Sequence, residues 1–220
     1  MSKLKTLFLA LVISAVTMPV MAGSGDFAGP YIGVQSSAVG VELDGSTNDA
    51  QTNVTSSSAG KFAIIVGAEL GYALPLGEDL LIDVGVMYTD GEAKISGTSD
   101  DGGTTNDVTI EFSELTEYYI APTVALSDTS SVYFKYGQSE AKTKVTGDVT
   151  EPSDLSGTTY AIGSRTVLSS GIYLRTEAGY TEYDKISLKG KGTTGGISTT
   201  TDVSADPTIA FGRVSVGFKF

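Results

Sequence analysis

Apolar and polar residues alternate along most of this chain with a period of two, the pattern of strands that show one face to each of two environments. Eight stretches carry it: 30–42, 61–74, 80–95, 108–126, 131–146, 157–168, 172–188 and 207–220. The last contains RVSVGFKF (213–220), in which Val214, Val216, Phe218 and Phe220 are the alternate apolar positions. Helical periodicity is almost absent from residue 23 onward.

The connections alternate too. Links at 75–79, 127–130 and 169–171 are three to five residues long, whereas those at 43–60, 97–107, 147–156 and 189–206 are long and polar. In an up-and-down antiparallel sheet, alternate turns lie at opposite ends. All the long loops therefore fall at one end and all the short turns at the other, the arrangement of bacterial outer-membrane barrels. Each stretch exceeds the roughly 9–11 residues that a tilted strand needs to cross the hydrocarbon. A sheet in lipid must also close on itself, because an open edge leaves backbone groups unpaired. The pattern predicts an all-β fold, an eight-stranded antiparallel up-and-down transmembrane β-barrel.

Even positions form the outward face: Phe62, Ile64, Val66 and Leu70 in the second stretch, Leu80, Ile82, Val84 and Val86 in the third, and Val214, Val216, Phe218 and Phe220 in the last. Two aromatic girdles follow, as expected at the two membrane interfaces. Tyr72, Phe218 and Phe220 fall at the periplasmic side, and Tyr88, Phe112, Tyr160 and Tyr180 towards the other. The inward face carries glycines, which leave room for large neighbours. It also carries four acids, Glu69, Asp83, Glu117 and Glu177, and four bases, Lys135, Arg165, Arg175 and Arg213. The interior of an eight-stranded barrel is just wide enough for side chains to fill. Charges enclosed there must pair, so the expected interior is plugged and hydrogen-bonded, either as a structural core or as a rearrangeable ion gate.

The front end sets the compartment. Lys3 and Lys5 precede an apolar run from Leu7 to Val16, and Val20-Met21-Ala22 fits a cleavage site. This is a secretory signal pattern, shorter than a membrane span. Residues 1–22 are expected to be a cleaved signal peptide, exported by the Sec pathway, and 23–220 the barrel domain. There is no Cys, so disulfides cannot hold the exported chain together. The net charge of −12 argues against nucleic acid as a partner.

Catalytic chemistry is not indicated. There is no His, the usual base or orienter in hydrolases, and no nucleophile–base–orienter set points elsewhere. The acidic loop residues Asp100, Asp101, Asp107, Asp148, Glu151 and Asp154 match no calcium-loop spacing. KGKGTTGG (189–196) lacks the strand–loop–helix context of a phosphate cradle, and Asn53-Val54-Thr55 matches a glycosylation acceptor of little weight in a bacterial chain. No cofactor or metal is expected.

GPYIGVQ (29–35), YLRTEAGYTEYD (173–184) and the closing RVSVGFKF together resemble the small eight-stranded outer-membrane barrels of the OmpA-like and OmpX/Ail-like kind, over nearly the whole of 23–220. The resemblance implies residence in the cell outer membrane of a Gram-negative bacterium, among lipid and lipopolysaccharide. It implies delivery by periplasmic chaperones to the barrel-assembly machinery, with Val214, Val216, Phe218 and Phe220 as the assembly signal. It also implies interior charged pairs in the places of Glu69, Lys135, Arg175 and Glu177. Three roles follow: a structural or surface-interaction protein with a closed interior, a narrow channel gated by interior salt bridges, or an adhesin whose acidic loops meet an extracellular partner.

Overall fold

The computed structural model describes residues 26–49, 52–101, 104–147, 149–150, 154–168, 170–191 and 202–220. The signal peptide expected at 1–22 lies outside the described residues. Ten strands occur in chain order: β1 Gly29–Asp49, β2 Thr52–Pro75, β3 Leu80–Asp90, β4 Ala93–Asp101, β5 Thr104–Ala125, β6 Ser130–Thr146, β7 Leu155–Val167, β8 Ile172–Tyr183, β9 Ile186–Lys189 and β10 Asp202–Lys219. All pairings are antiparallel, and β1 pairs with both β2 and β10, which closes the sheet. β4 continues the line of β3 along upper β5, and β9 continues β8 along upper β10. The result is a barrel of eight staves.

The stagger can be read from the register. Direct partners run from Tyr31 to Gly71, Gly85, Tyr119, Gly137, Thr159, Thr181 and Ile209, and return to β1 at Val41, ten residues above the start. Strands in such a barrel tilt by about 35–45° to the axis. An even stagger preserves the inward/outward alternation around the ring. Accordingly Ile32, Val34, Leu70, Leu80, Tyr118, Leu174, Val214 and Val216 are exposed on the outside, while most of their odd-numbered neighbours, such as Tyr31, Glu69, Leu81, Tyr119, Arg175 and Ser215, are buried.

The even-outward rule fails in two places. Phe112, expected in the outer girdle, is fully buried and points inward. The β5–β6 register slips between Ser113 and Thr116, and Glu114 there has φ 46°, the left-handed region. This bulge inserts one residue and reverses the parity above it, so Ile110 and Phe112 enter the lumen. The stretch 172–188 likewise breaks after Tyr183. Asp184 and Lys185 step the parity, and Ile186 and Leu188 point inward. The stretch 80–95 divides at Gly91–Glu92. Gly91 adopts φ 152° with its Cα against Ile65, where a Cβ would fall 2.6 Å from Ile65 Cγ2.

The long polar connections are shorter than expected. β1 and β2 run on to a hairpin between Asp49 and Thr52, and β4 and β5 continue to Asp101 and Thr104. Their Ser- and Thr-rich sequences show no apolar alternation, yet the backbone ladders continue through them.

Candidate functional site

The lumen is layered. Phe27, Tyr31, Ala73, Leu81, Ala125, Val167 and Tyr173 pack together at the periplasmic end. Above them, all eight charged residues of the inward face are buried and face one another. Arg165 meets Asp83 at 3.0 Å, and the Thr123 hydroxyl donates to the other Asp83 oxygen at 2.6 Å. Arg175 meets Glu69 at 2.9 Å and donates to the Tyr119 hydroxyl at 3.2 Å, while Tyr173 donates to Glu69 at 2.6 Å. The remaining four form one cluster. Lys135 lies 2.6 Å from Glu177 and 3.1 Å from Glu117, and Arg213 lies 2.9 Å from Glu177 and 3.7 Å from Glu117. The Lys135–Glu117 Oε1 approach is an ion pair without hydrogen-bond alignment, since that oxygen has no hydrogen-bond partner.

Neutral groups complete the layer. Tyr133 donates to Glu177 at 2.9 Å, and Arg213 Nε donates to Ser37 at 3.0 Å. The Met87 sulfur accepts from Arg213 at 2.7 Å and Lys135 at 3.4 Å. The Arg175 guanidinium lies over the rings of Tyr31 and Tyr133, 5.0 and 5.1 Å from their centroids, and Lys135 lies 4.5 Å from that of Tyr119. These aromatic faces attract cations, most strongly where water is excluded. The tyrosine rings need room, and the register supplies it: Tyr31 stands opposite Gly71, Tyr119 opposite Gly85, Tyr133 opposite Gly163 and Tyr173 opposite Gly217. A Cβ on any of these glycines would strike the ring beside it.

Higher up the polarity falls away. A hydroxyl chain joins Ser139, Thr159 and Thr181 with two contacts of 2.7 Å. Above it, Val39, Val41, Ile65, Ile110, Phe112, Val145, Leu155, Ile186, Leu188, Ile209 and Phe211 form a packed apolar cluster. The hydrogen-bonded plug thus fills only the lower part of the interior. The inward tyrosines and Met87 were not singled out in the sequence, although their odd numbers place them on the charged face. The upper apolar lining follows from the same odd parity on β1, β2, β6, β7 and β10, and from the two parity steps for Ile110, Phe112, Ile186 and Leu188.

The outer girdle is present on Tyr88, Tyr136, Tyr160 and Tyr180. The Tyr136–Tyr160 and Tyr160–Tyr180 centroids are each 5.6 Å apart. Val214, Val216, Phe218 and Phe220 face outward at the periplasmic end, where the Phe218 and Phe220 rings meet edge to face at 5.3 Å. The Phe220 amide donates to Pro30 and the Lys219 amide to Gly171, so the end of the chain is fixed on both sides.

Exposed ion pairs decorate the wall above the girdle: Lys94 with Glu92 and Glu111, and Lys142 with Glu114. A hydrogen bond to Glu92, followed by one to Glu111, raises the Lys94 pKa, and Glu114 does the same for Lys142. Among the described residues, no group of His, Cys, Asp and Glu side chains could hold a metal ion.

A family model described as "Outer membrane protein beta-barrel domain" matches residues 8–218. A search of curated proteins found no match. Among solved structures, the outer membrane protein OprG from Pseudomonas aeruginosa is similar at 12% identity and TM-score 0.52, covering 88% of this chain and 97% of that one. Ail, the attachment invasion locus protein of Yersinia pestis, in complex with the heparin analogue sucrose octasulfate, is similar at 12% identity and TM-score 0.44, covering 86% and 99%. The outer membrane protease OmpT from Escherichia coli is similar at 7% identity and TM-score 0.46, covering 87% and 97%.

Proposed function

The chain belongs to the outer membrane protein β-barrel domain family, and from that premise we propose that it is a closed, non-catalytic barrel of the cell outer membrane, acting at the surface through the strands that project above its girdle. The observation that carries this reading is the charge pairing of the interior. Each of the four inward acids has an inward base within 4.0 Å, and each base has an acid. The tyrosines Tyr31, Tyr119, Tyr133 and Tyr173 lie against these pairs. Breaking a buried pair leaves an uncompensated charge, so the cluster resists opening. The interior charges are structural on this reading, and interaction falls to the acidic rim. Because the rim is acidic, its extracellular partner is a neutral or basic surface. The closing residues Val214, Val216, Phe218 and Phe220 are proposed to serve as the assembly signal.

Planar-bilayer recording of the full chain tests the closed reading. The expected result is no steady conductance, in the wild type or in Glu69→Gln. A steady wild-type pore that widens in Glu69→Gln would favour the gated-channel reading instead.

A further inference from the structure

The outward apolar band is not the same height all round the barrel. On β6, β7 and β8 the first outward residues above Tyr136, Tyr160 and Tyr180 are Gln138, Thr158 and Glu182, followed on β6 by the exposed Glu140. On β2 the outward residues above Ala68, the direct partner of Tyr88, are Val66, Ile64 and Phe62. They are 60, 71 and 64% exposed. The row at Ile64 continues through Ala38 to Gly212, and the row at Phe62 through Gly40 to Ala210. No charged residue faces outward on β2 between Phe62 and Leu74, or on β10 between Thr208 and Lys219. At about 3.3 Å per residue and a tilt of about 40°, the β2 run spans about 30 Å, against about 20 Å for Leu80–Tyr88 on β3.

We infer that the β10–β1–β2 face is an acyl-chain-binding surface on which outer-leaflet hydrocarbon rises beyond the tyrosine girdle to the level of Phe62. The argument is continuity: this patch is the unbroken upward extension of the lipid-facing Leu70, Val34 and Val214, with no polar residue larger than Ser36 between. An apolar stretch longer than the local hydrocarbon is accommodated by tilting the protein or thickening the bilayer beside it. The raised face also has a defined border. Ladder pairing between β2 and β3 ends at Val66–Asp90, and among the described residues none joins upper β2 to β4. Across that seam stand Asp90, Glu92 and Lys94, all exposed. The free backbone edge of β2 faces this polar side, where water and head groups can satisfy it, as a strand edge at a membrane requires. The inference rests on the outer-membrane reading and adds an orientation to it.

The absence of Trp from the sequence permits a clean test. Single-Trp variants Val34→Trp, Ile64→Trp and Glu140→Trp of the full chain are placed in vesicles of phosphatidylcholine with or without bromine at mid-chain. Each is first checked for the heat-dependent gel shift of a folded barrel, with Phe62→Trp replacing Ile64→Trp if the latter does not fold. Bromine is expected to quench Ile64→Trp at least threefold more than Glu140→Trp, and to within a factor of two of Val34→Trp. Equal weak quenching at 64 and 140, with aqueous acrylamide reaching both, would overturn the inference. So would Ile64→Trp shielded from both quenchers while copies crosslink, which would assign the face to a second copy. Failure to quench Val34→Trp would instead overturn the membrane reading itself.

Discussion

At the residue scale, a handful of contacts decide how the interior is held. Glu69 accepts from Arg175 and Tyr173 in a buried site. Removing one member of a buried pair costs about 3–5 kcal/mol, so Arg175→Met is expected to lower the unfolding free energy in detergent by about that amount. The double variant Arg175→Met/Glu69→Met should recover much of it, as replacing both charges with apolar groups often does. Urea titration followed by tyrosine fluorescence reads both. The glycines make a second contrast. Gly85→Val drives a side chain into Tyr119 and is expected to cost about 1–3 kcal/mol. Gly212→Val adds a side chain where a Cβ meets nothing within 4 Å, and its effect should stay within about 0.5 kcal/mol. The charged side chains were visible in the sequence as odd positions in strands whose even positions are apolar. Which acid meets which base was not, because pairing depends on the ten-residue stagger, and no single strand records how its neighbours are displaced.

At the element scale, strand parity is the organising quantity. Eight apolar alternations gave the membrane part of each stave, because every second residue there must be apolar to face lipid. The rule lost its grip above the girdle. Phe112 was assigned to the wrong face because one inserted residue at Glu114 reverses the face of everything beyond it, and a bulge leaves little trace in composition. The Ser- and Thr-rich hairpin of β1 and β2 was read as loop because its polar sequence carries no apolar alternation. The bulge is directly testable in a chain without Cys. A cysteine replacing Phe112 should resist a water-soluble maleimide in the full-length barrel. Deleting Glu114 in the same variant should turn position 112 outward and make it label rapidly, provided the heat-dependent gel shift is kept. Unchanged protection would show that the bulge does not set the parity. The closing strand offers a second test. Phe218→Ala/Phe220→Ala removes only two exposed rings from a finished barrel, so its folded stability in detergent should change by less than about 1 kcal/mol. Its level in the outer membrane should nevertheless fall several-fold if these residues act as an assembly signal; normal levels would refute that role.

For the molecule as a whole, polarity changes along the axis as well as across the wall. An aromatic plug, a charged middle and an apolar upper cluster are stacked inside a wall whose outer surface is apolar below and acidic above. The middle layer is the costly one to assemble, since eight charges must leave water together. Partial ionisation would leave some of them unpaired. Folding in detergent is therefore expected to fail more sharply with falling pH than would that of a variant whose four acids and four bases are all replaced by Gln and Met. Retention of the slow, boiled-form gel mobility after refolding at pH 3 and at pH 7 provides the readout, and identical yields at the two pH values would count against a charge-controlled step. The acidic wall above the girdle has no counterpart in the lumen, and on the proposed reading the surface is where a partner would bind.

The even stagger of a ring with an even number of staves reaches into how such a gene can change length. Inside and outside are assigned once, for the hoop as a whole. A single codon gained or lost between the girdles would turn half of one stave inside out, delivering its charges to lipid and its leucines to the salt bridges. Length variation is therefore channelled into paired insertions, into the crests above the tyrosines, or into sites such as Glu114 where an extra residue already stands outside the count. Scanning every position with one-residue deletions and selecting for cells that still display the barrel should map tolerance as a tide line: forbidden below the girdle, permitted above it.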